Sequence, residues 1–253
     1  MKKIARILLI AAACLFALAS CTKDPDNPKD PTDNPNNGNE DPEDNSLIVI
    51  DGQFEDWDGV PNLAVSEVPD DAAKESLIVM KVCSDENKIY IYFEQILGED
   101  QAEAPFNVMF NTDNNTETGA DSYLWDAPGW DYYIESEKGF LASATLVQDM
   151  PDMVLYKFIG PDGADAWDDP DEDDDNDTPY LEKTDASDFT VTAGVVKNGV
   201  AKVEVSVLRE VLGKTAATIK VGMIGYNADW SDSGVLPQGE GGAVAPLMDV
   251  KLK

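Results

Sequence analysis

The feature of this sequence that most limits its fold is a series of short β-branched and aromatic runs, beginning at Leu47 and separated by polar turn residues. Leu77 to Cys83 is one run, Ser84-Asp85-Glu86-Asn87-Lys88 turns, and Ile89 to Phe93 is the next. In that second run Ile89, Ile91 and Phe93 share one face, while Tyr90 and Tyr92 share the other. The two tyrosines therefore read as a sheet face turned to solvent or to ligand. Leu47–Ile50, Phe106–Phe110, Trp130–Ile134, Met153–Ile159, Phe189–Val196, Ile219–Tyr226 and Leu247–Leu252 continue the series. Asn198-Gly199, between Val195-Val196 and Val200-Ala201-Lys202-Val203, is the strongest hairpin signal, because both turn residues tolerate positive φ. Helical periodicity is confined to a turn or two near Leu208 to Leu212, stopped by Gly213. Roughly ten short strands joined by polar loops predict an all-β chain, a single antiparallel, jelly-roll-like β-sandwich over residues 47–253.

What precedes that domain reads differently. Lys2, Lys3 and Arg6 are followed by an apolar run from Ile7 to Ala19. The run is short for a membrane span, which takes about 20 residues, and suits the apolar region of a secretory signal over residues 1–20. It ends in Leu18-Ala19-Ser20-Cys21, which resembles the lipobox of bacterial lipoproteins. The resemblance implies cleavage before Cys21 and acylation, with palmitate or a similar chain, of its thiol and new amino terminus. Residues 21–46 are then the lipidated cysteine and a linker. Thr22 to Ser46 carries five prolines and no aliphatic or aromatic side chain. Such a stretch cannot offset its ordering entropy by burial. Lys23-Asp24 and Asp26, just after the cysteine, resemble the surface-export signals of some Gram-negative lipoproteins. The expected location is the outer membrane, held through the Cys21 lipid and facing the exterior.

Charge and composition narrow the function. Lys and Arg number 18 against 50 Asp and Glu, and removing residues 1–20 takes three cations more, leaving −35. A nucleic-acid partner needs cations to displace phosphate counterions, so that class is excluded. Basic adsorption to an anionic bilayer fails for the same reason, leaving the lipid as the membrane contact. Histidine is absent from the chain, so Ser-His-Asp and Cys-His catalysis and histidine-ligated metals are absent with it. Cys14 leaves with the signal and Cys21 carries lipid, so Cys83 is left without an intrachain partner.

Several motifs occur in an order that resembles family 9 carbohydrate-binding modules and their relatives. Ile48-Val49-Ile50-Asp51-Gly52 followed by Asp56-Trp57 is similar to their opening. Lys88 to Phe93 is similar to an early strand, and Phe110-Asn111-Thr112-Asp113-Asn114-Asn115-Thr116-Glu117-Thr118-Gly119 to a following acidic loop. Val203 to Val207 resembles a late strand but lacks its proline. The resemblance runs from Leu47 to Lys253. It implies a β-sandwich, bound calcium, and sugar held between aromatic rings.

Two acidic segments are candidate cation sites. Asp113 to Asp121 places oxygen-bearing side chains at alternating positions on a glycine-containing turn. Calcium takes 6–8 oxygens, and Asp113, Asn115, Glu117 and Asp121 are the candidate ligands; the alternative is an Asx-rich surface loop without metal. Trp167 to Thr178 is more acidic still. It reads first as a solvated charge run, and second as a cation site formed by Asp173, Asp175 and Asp177.

Aromatic residues supply the glycan candidates. Trp57 follows the first turn and reads as core. Trp125, Trp130, Trp167 and Trp230 lie in or beside polar loops. An indole left in water points to a partner, whereas the alternative is that these rings cap the ends of the sandwich. Trp125, Trp167 and Trp230 are the candidate sugar-binding set, with Glu117, Asp126 and Asp229 nearby as hydroxyl acceptors. Non-catalytic binding of a polysaccharide or oligosaccharide, serving a surface glycan-uptake complex, is the function this implies. The alternatives are an adhesion or assembly lipoprotein gripping a protein, and a carboxylate-based glycoside hydrolase. No motif singles out a catalytic pair among the acidic residues.

Overall fold

The chain divides into two units, Met1–Asp44 and Asn45–Lys253. A computed structural model describes residues 46–69, 76–97, 103–136, 140–141, 146–148, 153–167, 180–227 and 229–253, all in the second unit. The signal, Cys21 and almost all of the linker lie outside the described residues. So do Asp173, Asp175 and Asp177.

The described residues are all-β, with short 3-10 turns and no α-helix. In chain order the strands are β1 (Ala64–Glu67), β2 (Leu77–Ser84), β3 (Lys88–Ile96), β4 (Glu103–Ala104) and β5 (Phe106–Asn111). Then follow β6 (Tyr132–Ser136), β7 (Phe140–Leu141), β8 (Leu146–Gln148), β9 (Met153–Phe158) and β10 (Leu181–Lys183). The series ends with β11 (Thr190–Lys197), β12 (Val200–Leu208), β13 (Thr218–Tyr226), β14 (Asp232–Leu236) and β15 (Met248–Lys251). The first sheet has the order β1-β2-β3-β12-β11-β8, and the second β10-β9-β6-β5-β13-β14, with β15 also on β13. The named pairings are antiparallel, and β4 pairs β7 apart from the two sheets.

Sequence alternation accounts for how the sheets face each other. Ile89, Ile91 and Phe93 of β3 meet Phe106, Val108 and Phe110 of β5 in one buried cluster, joined by Val203, Val205, Ile219 and Val221. Asn198 and Gly199 take φ of 54° and 74°, the two positive angles a type I′ hairpin requires, and β11 and β12 pair from Lys197↔Val200 onward. The helical candidate is one 3-10 turn, Arg209–Leu212, ended by Gly213 at φ 67°. Only one face of each sheet is used in this way. The opposite faces are covered separately.

On the outer face of the first sheet, Leu47–Ile50 does not form the expected strand. Its amides are taken by side chains: Leu47 N–H by Asp85, Val49 N–H by Asp56 at 2.8 Å. The segment instead lies across the sheet, with Ile48 and Trp57 packed on Val79, Cys83, Tyr90 and Tyr92. Glu204 of β12 fixes it. One carboxylate oxygen accepts the Asp51 and Gly52 N–H groups, both at 2.7 Å, and the other accepts Trp57 Nε1–H at 3.0 Å. Trp57 is core, as its sequence position implies. Tyr90 and Tyr92 are also buried beneath this cover, so their face is not turned to solvent. Their hydroxyls donate to Asp85 and Glu94. The lone described cysteine, Cys83, is buried, and burial, with Asp85 and Asp56 nearby, pushes its thiol up to about 12.

Candidate functional site

The outer face of the second sheet is covered by three connections, carrying Ala120, Trp125 and Trp130, then Ala164 and Ala166, then Leu247. The first is folded tightly on itself. Asp131 accepts the Thr112 N–H at 2.6 Å and its hydroxyl at 2.8 Å, while buried Asn111 donates to the Asn115 and Pro128 carbonyls, each at 3.0 Å. Gly119 and Gly129 pack back to back: a Cβ on Gly119 would lie 2.7 Å from the Gly129 carbonyl oxygen. The Gly119 carbonyl then accepts Gly163 N–H at 2.8 Å, and Asp121 N–H donates to Ala164 at 2.9 Å. The Thr118-Gly119 motif therefore positions the segment that carries Trp167.

The candidate calcium ligands lie on this loop, and all four are exposed. Asp113 accepts Asn115 N–H at 2.8 Å and the Thr118 hydroxyl at 2.9 Å. Asn115 accepts Glu117 N–H at 3.1 Å, and Asp121 accepts Ser122 N–H at 2.8 Å. Among the described residues, no three acidic or cysteine side chains gather into a group that could hold a metal ion. The loop closes through its own donors.

The three candidate indoles separate. Trp125 is 3% exposed and packs on β13, where the missing side chain of Gly222 makes room for its ring. It is core, and the expectation of an open indole fails there. Trp167 and Trp230 are 47% and 44% exposed. Trp167 stands 5.9 Å from the ring of Tyr133 on β6 and 5.7 Å from buried Trp130. Trp230 stands 5.4 Å from Tyr226 on β13. It occupies a tight turn in which Trp230 N–H donates to the Asn227 carbonyl at 2.9 Å, and its φ is 64°. A bulky side chain in the left-handed region is uncommon and persists only where its surroundings over-determine it.

Between these indoles the sheet presents residues that loop reasoning missed. Tyr133 and Tyr156 stack at 4.8 Å and 8° on neighbouring strands. Asn107 of β5 sits in register between Glu135 and Ile224. It is 2% exposed; Nδ2 donates to the Tyr226 hydroxyl at 3.2 Å, and its Oδ1 has no partner. Tyr133 donates to Glu135 at 3.3 Å, and 77%-exposed Tyr123 donates to Asp232 at 3.0 Å. Burial raises the Tyr226 phenol far above the ordinary range, and the charges of Asp232 and Glu135 add to it. Burial also raises Tyr133, with Glu135, Tyr156 and Tyr226 contributing. These couplings converge on one face from β5, β6 and β13. Of the loop acceptors inferred from sequence, Glu117 and Asp126 are exposed, and Asp229, next to Trp230, accepts the Ser231 N–H and hydroxyl.

A glycosidic acid needs a carboxyl of raised pKa facing its substrate. Burial raises two described carboxyls, Glu204 and Asp131. Both are engaged by backbone amides, the first beneath the N-terminal cover and the second at the loop stem.

No protein-family model matches the chain, and no curated protein matches it. Among solved structures it is similar to a family 9 carbohydrate-binding module from Caldicellulosiruptor kristjanssonii in complex with cellotriose. Identity is 12%, coverage is 81% of this chain and 89% of that one, and the TM-score is 0.38. At that level the likeness assigns no residue a role.

Proposed function

We propose that the domain binds a glycan without cleaving it, on the outer face of the second sheet. The observation that carries this reading is the pair of half-exposed indoles, Trp167 and Trp230, rimming a floor with an unpartnered buried acceptor, Asn107 Oδ1. Sugar rings offer apolar C–H faces to aromatic planes and hydroxyls to floor acceptors. A pyranose lies against an indole, while Asn107, Glu135 and the Tyr226 hydroxyl take its hydrogen bonds. In this proposal Cys21 carries the lipid that holds the chain at the outer membrane, facing outward. Residues 22–46 keep the domain off the bilayer, and a surface glycan-uptake complex is its setting; the support for these parts is the sequence pattern.

A glycan array followed by calorimetry tests the reading. Trp167→Ala and Trp230→Ala should each weaken binding roughly tenfold, since a stacked ring contributes on the order of 1–2 kcal/mol, and should leave melting nearly unchanged. Trp125→Ala should instead destabilise the fold by about 3–5 kcal/mol, as a buried aromatic does. An array without hits, beside a protein captured through the same two indoles, would replace this reading with the adhesion alternative.

A further inference from the structure

The same face carries a charge pattern that sugar stacking does not require. Asp232 accepts the Tyr123 hydroxyl at 3.0 Å, and Asp165 accepts the backbone N–H of Trp167 at 3.0 Å. The charges of both act on the Tyr123 phenol, which is raised first by its hydrogen bond to Asp232 and then by burial. Glu135 acts on Tyr226 from the floor, beside the unpartnered Asn107 oxygen. Three carboxylates therefore surround the aromatic rings. Among the described residues, register places Lys183 at the far edge, opposite Tyr156 on β10, and Lys220 on the outer face of β13 at the end away from Asn107, where Asp249 pairs with it at 2.6 Å. An ammonium at such a face gains from the carboxylates and from the negative ring faces together, whereas an anion is repelled by both.

We propose that this face selects its glycan by charge, taking a hexosamine with a free amino group in preference to the neutral sugar and excluding uronates. The proposal rests on the glycan reading above. Asn107 Oδ1 needs a donor, and an ammonium supplies three N–H groups where a hydroxyl supplies one. The chain's net charge of −32 extends the same bias beyond the site, but salt screens that long-range part over about 8 Å at physiological strength.

The test uses purified full-length protein and three trimers sharing one β-1,4 linkage: glucose, glucosamine and glucuronic acid. At low salt the glucosamine trimer should bind about tenfold more tightly than the glucose trimer. That is the factor two unit charges about 6 Å from an ammonium give in a water-like dielectric. The glucuronic acid trimer should not bind. Asp165→Asn with Asp232→Asn should remove most of the preference for the glucosamine trimer, leaving only the part due to Glu135. Removing two exposed carboxylates elsewhere, by Asp58→Asn with Glu182→Gln, should leave the preference in place. Equal binding of glucose and glucosamine trimers, lost in Trp167→Ala, overturns charge selection while keeping the glycan reading. Binding of any trimer that ignores both Trp167→Ala and Trp230→Ala overturns the two together.

Discussion

Glu204→Gln offers the sharpest examination of how the N-terminal segment is held. The substitution keeps shape and volume, and the amide oxygen of glutamine can still accept the Asp51 and Gly52 N–H groups now held at 2.7 Å. Its NH2 group then faces Trp57 Nε1–H, which the carboxylate accepts at 3.0 Å, so a donor meets a donor. Losing a charge-assisted bond and leaving a buried indole N–H unsatisfied costs about 3–5 kcal/mol together. Relieving a buried charge of its desolvation returns part of that, and the net is about 2 kcal/mol. For a domain of about 200 residues this lowers Tm by roughly 4–8 °C. Trp57→Phe removes the conflicting donor, so the double variant should lose less than the sum of the singles, with coupling of about 1 kcal/mol in a thermal double-mutant cycle.

The pH dependence of that variant has a defined direction. Burial outweighs the three donors and raises the Glu204 carboxyl above its ordinary 4.5. The folded state therefore holds the proton more tightly than the unfolded chain. The corresponding stability is fully present below 4.5 and is lost as pH rises through the folded-state pKa. Glutamine does not titrate, so the gap between wild type and Glu204→Gln should widen on acidification toward pH 4.5. A Tm for Glu204→Gln equal to or above wild type at neutral pH refutes the clasp, because a side chain with a donor facing Trp57 Nε1–H would then hold the segment as well as the carboxylate does.

Three further perturbations test the loops. Gly119→Ala places a Cβ 2.7 Å from two backbone oxygens at φ 79°, and should cost at least about 2 kcal/mol in urea unfolding and loosen the segment carrying Trp167. Asp85 is opposed by burial, yet Tyr90 and the amides of Asn87, Lys88 and Leu47 hold its carboxyl below 3.8. Stability from Asp85 is present above pH 3.8 and lost as pH falls through its lower folded-state value, so Asp85→Asn and wild type should converge on acidification into that range. EDTA should leave Tm within about a degree, because the Asp113–Asp121 loop is closed by its own donors; a fall matching the roughly 2.7 kcal/mol of an ion at hundredfold excess over Kd would show calcium there.

The period-two pattern made the sandwich legible, because alternation alone decides which side of β3, β5 or β13 enters the core. The Asn198-Gly199 turn was legible because so few residues tolerate its φ values. Leu47–Ile50 was not, because its amides are met by carboxylates, and Glu204, the acceptor for Asp51 and Gly52, lies on β12 more than a hundred residues along the chain. Trp125 and Trp167 occupy similar polar loops, and no local feature separates them. The difference is made by Gly222, whose absent side chain leaves space for one indole and not the other. Asn107 and Glu135 were within reach of the sequence: each sits at an outward position of a strand otherwise rich in apolar residues.

Coverage of the two outer faces explains why the candidate site lies where it does. On the first sheet the cover is apolar and anchored, with Ile48 and Trp57 sealing Tyr90 and Tyr92, so those aromatics are consumed by the fold. On the second sheet the covering loops bury Trp125 and Trp130 at one end of β13 and β5. They leave the opposite end, near Asn107, Glu135 and Tyr226, to half-exposed rings. The indoles left open there, Trp167 and Trp230, are costly to leave in water. In the proposed reading, a ligand that carries both a ring face and hydrogen-bonding groups covers these indoles as the N-terminal segment covers the tyrosines of the other sheet.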